Sequence, residues 1–169
     1  GRSLAAYPMV IPRPIQQPHP PIWVAAFGPK ALAQAGRLGL PYLSSPMESL
    51  ATLEQNYAQH RLSADEEGVA KPVEVPLMRT VFVSKDGQQT AKLRQLMLQQ
   101  SENSRLSEGE TLDDWTIIGE PSYVRDRVDE YRQRLGMTHL IATRIRVSGL
   151  DEVELRGSVA LLAETLNGL

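Results

Sequence analysis

A short apolar segment followed by an amphipathic stretch occurs four times along this chain, and this alternation constrains its fold more than any other feature. The apolar segments are rich in strand-forming residues and span 22–26, 41–44, 75–83 and 139–145. The third connection contains an additional helix, because 88–100 and 121–135 both have helical spacing. Such alternation predicts parallel strands joined by right-handed helical crossovers, and therefore an α/β fold.

Two α/β architectures remain open from the pattern alone: an open doubly wound sheet, or part of a closed (β/α)8 barrel. A complete barrel typically needs about 250 residues, whereas this chain has 169. Four strand–helix units would supply half of a barrel. We predict that residues 1–21 form a proline-rich, extended lead-in and that 22–169 form the folded unit, with a mobile loop near 101–114.

Composition excludes several classes of function. The chain has 18 basic and 20 acidic residues, a net charge of −2, which argues against a nucleic-acid partner. It contains no cysteine, which excludes disulfides and thiolate metal sites, and its three histidines are not at metal-ligand spacing, so we predict no metal. No apolar run approaches the roughly 20 residues that a membrane span needs, and no signal segment opens the chain. We therefore predict a cytoplasmic protein with no membrane partner.

The strongest local candidate for a binding site is the bend Ala25-Ala26-Phe27-Gly28-Pro29-Lys30, where a buried strand turns into a helix. The first amides of a helix have no partners within the helix, and small residues let a phosphate approach them. Pro29 has no amide proton, so Lys30, Ala31 and Leu32 would be the donors. The alternative is a tight turn without a ligand, because the segment is not a full GxGxxG motif.

Other polar residues follow the strands at the same predicted edge of the sheet. Ser44 could face a pocket there, and Arg144 and Arg146 could either hold an anionic substrate or cofactor or lie on a solvated rim. Arg79 lies inside the third strand and needs a carboxylate partner or a polar cavity. No residue stands out as an acid–base catalyst, so the catalytic residues are left unassigned.

Two segments carry a family resemblance. PRPIQQPHPPIWVAAFGPKALAQAGRLGLPYLSS, residues 12–45, and IIGEPSYVRDRVDEYRQRLGMTHLIATRIRV, residues 117–147, resemble the luciferase-like flavin monooxygenases. The resemblance implies that the chain is the C-terminal half, (βα)5–8, of a TIM (β/α)8 barrel. It further implies that Ala25, Ala26, Phe27, Gly28 and Pro29 contact the flavin phosphate and that Ser44 lies near the cofactor. Lys30, whose amide is among the predicted donors, completes the predicted cofactor-binding residues. Family members often have a glycine and a serine in this bend, whereas this chain has Ala26 and Phe27.

The function that the resemblance implies is oxygenation of a small organic substrate with O2 and reduced FMN, with NAD(P)H as the indirect reductant. Two alternatives stay open: a deazaflavin (F420)-dependent oxidoreductase of the same fold, and a non-catalytic half-barrel that associates with itself. Half a barrel leaves strand edges and apolar surface uncovered, so a missing N-terminal half or a homodimer is the expected partner.

Overall fold

The computed structural model describes residues 15–101, 111–145, 147 and 149–167. Within these residues, strands and helices alternate along the chain. The elements in order are β1 (Val24–Ala25), α1 (Pro29–Arg37), β2 (Tyr42–Leu43), α2 (Leu50–Glu67), β3 (Pro76–Val83), α3 (Gly87–Ser101), a short 3-10 helix (Leu112–Asp114), β4 (Thr116–Gly119), α4 (Pro121–Leu135), β5 (His139–Thr143) and α5 (Glu152–Leu166).

All of the strand pairs described are parallel, as the alternation predicts. β1 pairs with β2 in a two-stranded sheet, and β3 lies between β4 and β5 in a three-stranded sheet. Thr80 in the middle of β3 is in register with Thr116 of β4 and with Thr143 of β5. The end of β2 lies beside β3, because the Ser44 hydroxyl accepts a hydrogen bond from the Met78 amide at 3.2 Å.

The structure differs from the sequence-based prediction around the third connection. The sequence predicts only a short ordered piece at 115–119, which contains a fifth strand, β4, in the structure. Of the predicted mobile loop, residues 102–110 lie outside the described part of the chain. Residues 111–114 are ordered in a capping box, in which the Thr111 amide and the Asp114 carboxylate are joined at 2.7 Å. Of the proline-rich lead-in, residues 1–14 lie outside the described part, and 15–21 form neither helix nor strand.

The main core lies between one face of the sheet and the helices that cover that face. Successive strand residues point to opposite faces, so one face of β3 presents Leu77, Val81 and Val83 to α2 and α4. This cluster includes Tyr57 and the helical stripe Val124, Val128, Tyr131 and Leu135. A second, smaller cluster joins Phe82 to α3 and includes Leu93, Met97, Trp115 and Ile145.

The opposite face of the strands is only partly covered. We call the uncovered part the inner face; its residues are Ala25, Leu43, Met78, Thr80, Ile141 and Thr143, whereas Pro76 and Phe82 on the same side of β3 are buried. Of the inner-face residues, Ala25 is exposed and the others are half-buried. This face is the one that a closed barrel would enclose.

Candidate functional site

The bend after β1 places unpaired amides at the carboxyl edge of the sheet. Gly28 is the residue before α1, with φ 80° and ψ 167°, and Pro29 begins the helix. No side chain caps this helix end. The Leu32 amide donates to the Gly28 carbonyl at 3.1 Å, so the expectation that Leu32 would also serve as a donor is wrong. The amides left for a ligand are those of Lys30 and Ala31.

The bend is anchored on one side and open on the other. Ala26 is buried in the main core, whereas Phe27 is 74% exposed. A Cβ built on Gly28 would meet no atom within 4 Å, so the backbone there is accessible. Positive φ at this position favours glycine over other residues. The geometry is that of an open strand-to-helix turn that an anion can approach from solvent.

Ser44, the other predicted cofactor residue, is buried and faces the helices. It follows Leu43 of the inner face and shares its side of the strand with Tyr42, whose ring lies 5.0 Å from that of Tyr57 in α2. Burial raises the pKa of the Tyr57 phenol, which also donates to the Pro76 carbonyl at 2.8 Å. In this arrangement, the Ser44 hydroxyl links β2 to β3 through the Met78 amide.

Of the two environments that the sequence predicts for Arg79, the described residues supply polar oxygens and no carboxylate partner. Arg79 is fully buried, and its guanidinium donates to backbone carbonyls of Ser45 at 3.3 Å and Glu48 at 2.8 Å. Its Nε donates to the Tyr131 hydroxyl at 2.9 Å. Neutral oxygens can therefore satisfy this cation without a carboxylate. Arg79 fixes the turn that follows β2, which is the turn next to the bend after β1.

The carboxylate of Glu48 closes the same turn from the other side. It accepts hydrogen bonds from the Ser45 amide at 2.6 Å, from Asn56 at 2.8 Å and from the Tyr42 hydroxyl at 2.7 Å. Burial raises the pKa of the Tyr42 phenol, and the neighbouring Glu48 carboxylate raises it further. The Tyr42 hydroxyl therefore stays a hydrogen-bond donor at neutral pH.

Of the two arginines predicted at the rim, the structure describes Arg144. Arg144 is exposed and lines a groove between β5 and α5, with Val159 on its opposite wall. Arg146 lies outside the described residues.

The sequence did not point to two hydroxyls on the inner face, those of Thr80 and Thr143, whose oxygens are 3.2 Å apart. Side chains alternate between the two faces along β3, so Thr80 must point to the opposite face from Arg79. This alternation is the sequence signal that could have identified the Thr80 hydroxyl.

A second polar cluster lies at the end of β4. Arg94 binds the Asp113 carboxylate through two nitrogens, each at 2.7 Å, and the Tyr123 hydroxyl donates to the same carboxylate. The hydrogen bond from Arg94 is the main cause that lowers the pKa of Asp113. Burial, followed by the Asp113 carboxylate, raises the pKa of Tyr123 to about 12. The cluster joins α3, the 3-10 helix and α4.

Two findings concern the predictions that the chain has no metal site and no membrane partner. Among the described residues, no three His, Asp or Glu side chains are grouped so that they could hold a metal ion. His60, for example, contacts the Leu40 carbonyl at 2.8 Å. In the same part of the chain, no helix is both long enough and apolar enough to cross a membrane.

Comparison with known proteins gives a family match and a set of structural matches. A family model described as luciferase-like monooxygenase matches residues 2–139. No match was found among curated protein sequences. The chain is similar in structure to monooxygenase RslO1 from Streptomyces bottropensis, with 23% identity, a TM-score of 0.72, and coverage of 92% of this chain and 50% of that one.

Two other solved structures carry information about cofactors. The oxygenating constituent of 3,6-diketocamphane monooxygenase from Pseudomonas putida, in complex with FMN, matches with 15% identity and a TM-score of 0.64, covering 87% of this chain and 48% of that one. The coenzyme F420-dependent tetrahydromethanopterin reductase from Methanopyrus kandleri matches with 16% identity and a TM-score of 0.50, covering 71% and 44%. The chain thus spans about half the length of the solved structures it matches. The predicted fold class, a parallel α/β fold that is part of a (β/α)8 barrel, is confirmed.

Proposed function

Because this chain belongs to the luciferase-like monooxygenase family, whose members are oxidoreductases, we propose that it is the half of an FMN-dependent monooxygenase that binds the flavin phosphate. The observation that carries the proposal is the open, uncapped bend between β1 and α1. We assign the phosphate to the Lys30 and Ala31 amides, with the Lys30 ammonium as a further positive charge.

The residues around the bend fit a flavin monophosphate. An anion at the start of α1 interacts favourably with the helix dipole, which is typically worth about 0.3–1 kcal/mol at an exposed site. Gly28 leaves room for phosphoryl oxygens, and the exposed Phe27 ring offers an apolar surface beside them. The departure from the family pattern at Ala26 and Phe27 removes a side-chain hydroxyl, so binding here depends on backbone amides.

The inner face supplies the environment for the reacting end of the cofactor. Leu43, Met78 and Ile141 make it largely apolar. Enclosure of this face in a closed barrel would keep water from the reacting end of the cofactor. The hydroxyls of Thr80 and Thr143 are the polar groups on this face available to orient a substrate or the flavin ring. When bound, reduced FMN supplies the reaction with O2 that oxygenates a small organic substrate. We assign no acid–base role to any residue.

The match to an F420-dependent reductase supports a second candidate. In that case the same bend binds the phosphate of a deazaflavin, and hydride transfer proceeds without oxygen. Turnover that requires O2 and reduced FMN, generated from NAD(P)H by a separate reductase, favours the monooxygenase. Turnover that is unchanged under anaerobic conditions favours the deazaflavin enzyme.

Flavin fluorescence titration tests the proposed phosphate site. We expect the chain to bind FMN about tenfold more tightly than riboflavin, a difference of about 1.4 kcal/mol. Lys30→Met should weaken FMN binding and leave riboflavin binding unchanged, whereas Lys85→Met, on the exposed turn before α3, should change neither. Equal affinities for FMN and riboflavin, or no binding of either, contradict the proposal.

A further inference from the structure

Trp23 joins the start of β1 to two segments that are distant in the chain. It immediately precedes β1, and its indole Nε1 donates to the Glu74 carboxylate at 2.5 Å. The centroid of its ring lies 5.1 Å from that of the His139 ring, at an interplanar angle of 59°. Glu74 lies just before β3, and His139 is the first residue of β5. Among the described residues β1 pairs with β2 alone, so Trp23 links it to strands outside its own ladder.

The two partners of Trp23 are held next to each other by the segments that carry them. Glu74 is followed by Val75, and His139 is preceded by Thr138. The Val75 amide donates to the Thr138 hydroxyl at 2.8 Å, and the Thr138 amide donates to the Val75 carbonyl at 3.0 Å. The Thr138 hydroxyl also lies 2.9 Å from Nδ1 of His139. The indole therefore packs on a surface that the pairing of β3 with β5 itself orders.

The ladder that holds β1 is short. The strand consists of Val24 and Ala25, which pair with two residues of β2. In front of it, residues 15–22 form neither helix nor strand. A shift of one residue along a partner strand turns every side chain to the opposite face. Because two ladder residues resist such a shift only weakly, the register of β1 depends on side-chain contacts outside the ladder.

Trp23 makes the contacts that select one register. Val24 packs against the main core and Ala26 is buried in it. Successive residues of an extended chain point to opposite faces, so Trp23 points away from that core. A shift of one residue would turn the indole away from Glu74 and His139 and would remove Ala26 from the core. The observed register is therefore the one that satisfies both faces of the segment.

The register of β1 also determines the position of the bend that follows it. α1 begins at Pro29, directly after the bend, and the Lys30 and Ala31 amides lie in its first turn. A shift of one residue moves an extended backbone by about 3.3 Å. That displacement exceeds the length of an ordinary hydrogen bond, about 2.9 Å between heavy atoms. A phosphate placed at the carboxyl edge of the sheet would then lose these amides.

We propose that Trp23, through its contacts with Glu74 and His139, is a positioning residue that fixes the register of β1 and thereby the place of the bend. Trp23 acts from the amino edge of the sheet, whereas the bend lies at the carboxyl edge. The consequence for flavin binding rests on the proposed function. The effect on the backbone of β1 and of the bend does not, and it is measurable without flavin.

Two substitutions at Glu74 test the hydrogen bond to the indole. Glu74→Leu removes the acceptor, whereas Glu74→Gln keeps a side-chain oxygen that accepts from the same N–H. The Val24 amide donates to the Pro41 carbonyl at 2.9 Å, so its hydrogen exchange reports on the ladder. In the flavin-free chain, Glu74→Leu should raise this exchange rate about tenfold. It should also shift the amide resonances of Lys30 and Ala31, and Glu74→Gln should leave both measurements close to the wild type.

Glu54→Leu is the matched control. Glu54 also accepts a hydrogen bond between two elements, because Nε of Arg134 in α4 donates to it in α2 at 2.9 Å. Its loss should change neither the exchange of the Val24 amide nor the resonances of the bend. Trp23→Phe removes the N–H but keeps an aromatic ring, so it provides the same test if Glu74→Leu does not fold. The two changes combined should have no larger effect than either one, because both remove a single bond.

Unchanged exchange of the Val24 amide in Glu74→Leu and Trp23→Phe overturns the proposal. Equal effects in Glu54→Leu, or a Glu74→Gln chain that behaves like Glu74→Leu, overturn it as well. Titration with FMN and riboflavin separates it from the proposed function. A wild-type chain without preference for FMN contradicts the phosphate site, and the exchange rates still decide the role of Trp23. If the wild type prefers FMN, Glu74→Leu should lose most of that preference, and an undiminished preference overturns the positioning role.

Discussion

The Arg79 guanidinium donates from Nε to the Tyr131 hydroxyl at 2.9 Å and lies 5.0 Å from the centroid of the same ring. Both side chains are fully buried. Among the described residues, no carboxylate forms an ion pair with Arg79, so carbonyl and phenol oxygens satisfy its charge. This contact joins β3 to α4 and thereby supports the turn after β2.

Loss of the Tyr131 hydroxyl should therefore destabilise the fold. In Tyr131→Phe the Arg79 Nε has no acceptor in the core, and an unsatisfied buried donor costs about 1–3 kcal/mol. Urea unfolding measures this loss of free energy. Tyr123→Phe is the control and should lose less, because the Asp113 carboxylate keeps both of its bonds to Arg94. Equal losses in the two variants would contradict this role for Tyr131.

Stability should fall at acidic pH in a way that depends on Asp113. Arg94 lowers the pKa of this carboxyl in the folded state, against a value of about 3.9 in an unfolded chain. The ionised form is thus favoured by folding. The contribution of Asp113 to the free energy of unfolding is fully present above its pKa in the unfolded chain. It is lost as the pH falls through the lower pKa of the folded state.

Asp113→Asn should remove that component of the pH dependence. At neutral pH we expect a loss of up to about 1 kcal/mol, a value discounted because the side chains of Asp113 and Arg94 are 40% and 31% exposed and therefore screened by solvent. Urea unfolding at several pH values below 5 measures the slope. A variant whose stability falls as steeply with acid as the wild type would show that Asp113 is not the responsible group.

Two helical glycines should respond to alanine with opposite signs. A Cβ at Gly36 in α1 would lie 2.3 Å from the His60 carbonyl oxygen, which belongs to the backbone of α2. Gly36→Ala should therefore separate the helices and cost about 1–3 kcal/mol. At Gly157 in α5, a Cβ meets nothing within 4 Å. Gly157→Ala should stabilise the chain by about 0.5–1 kcal/mol.

Thermal unfolding of both glycine variants provides the comparison. The intrinsic preference of a helix for alanine is the same in both cases, so the difference between the two variants isolates the close approach of α1 to α2. Two stabilised variants would mean that this approach is looser than the structure describes. Two destabilised variants would indicate that Gly157 is in contact with another surface.

The alternation of apolar and amphipathic segments was sufficient to predict a parallel α/β fold, because strand and helix periods differ strongly. It did not identify β4 as a strand. The segment TIIG has only four residues, all buried, and a run of that length has no periodicity to separate strand from turn. Similarly, the contact between Arg94 and Asp113 that orders the end of the predicted loop joins residues 19 positions apart.

The candidate site was predictable where it is local and not where it depends on packing. The bend at Gly28 follows from adjacent residues, since a glycine and a proline after a strand determine the turn. Assignment of Ser44 and Arg144 to a site required knowing which face of the sheet each occupies. That choice is set by pairing with Met78 and by the position of α5, and these are relationships between distant parts of the chain.

The central claim is that the amides opening α1 receive the phosphate of a flavin, and amide NMR spectra of the chain during titration test it most directly. The account predicts that FMN shifts the resonances of Lys30 and Ala31 and that riboflavin, which lacks the phosphate, leaves them nearly unchanged. Identical shifts with both flavins, or an unchanged bend in the presence of FMN, would contradict it.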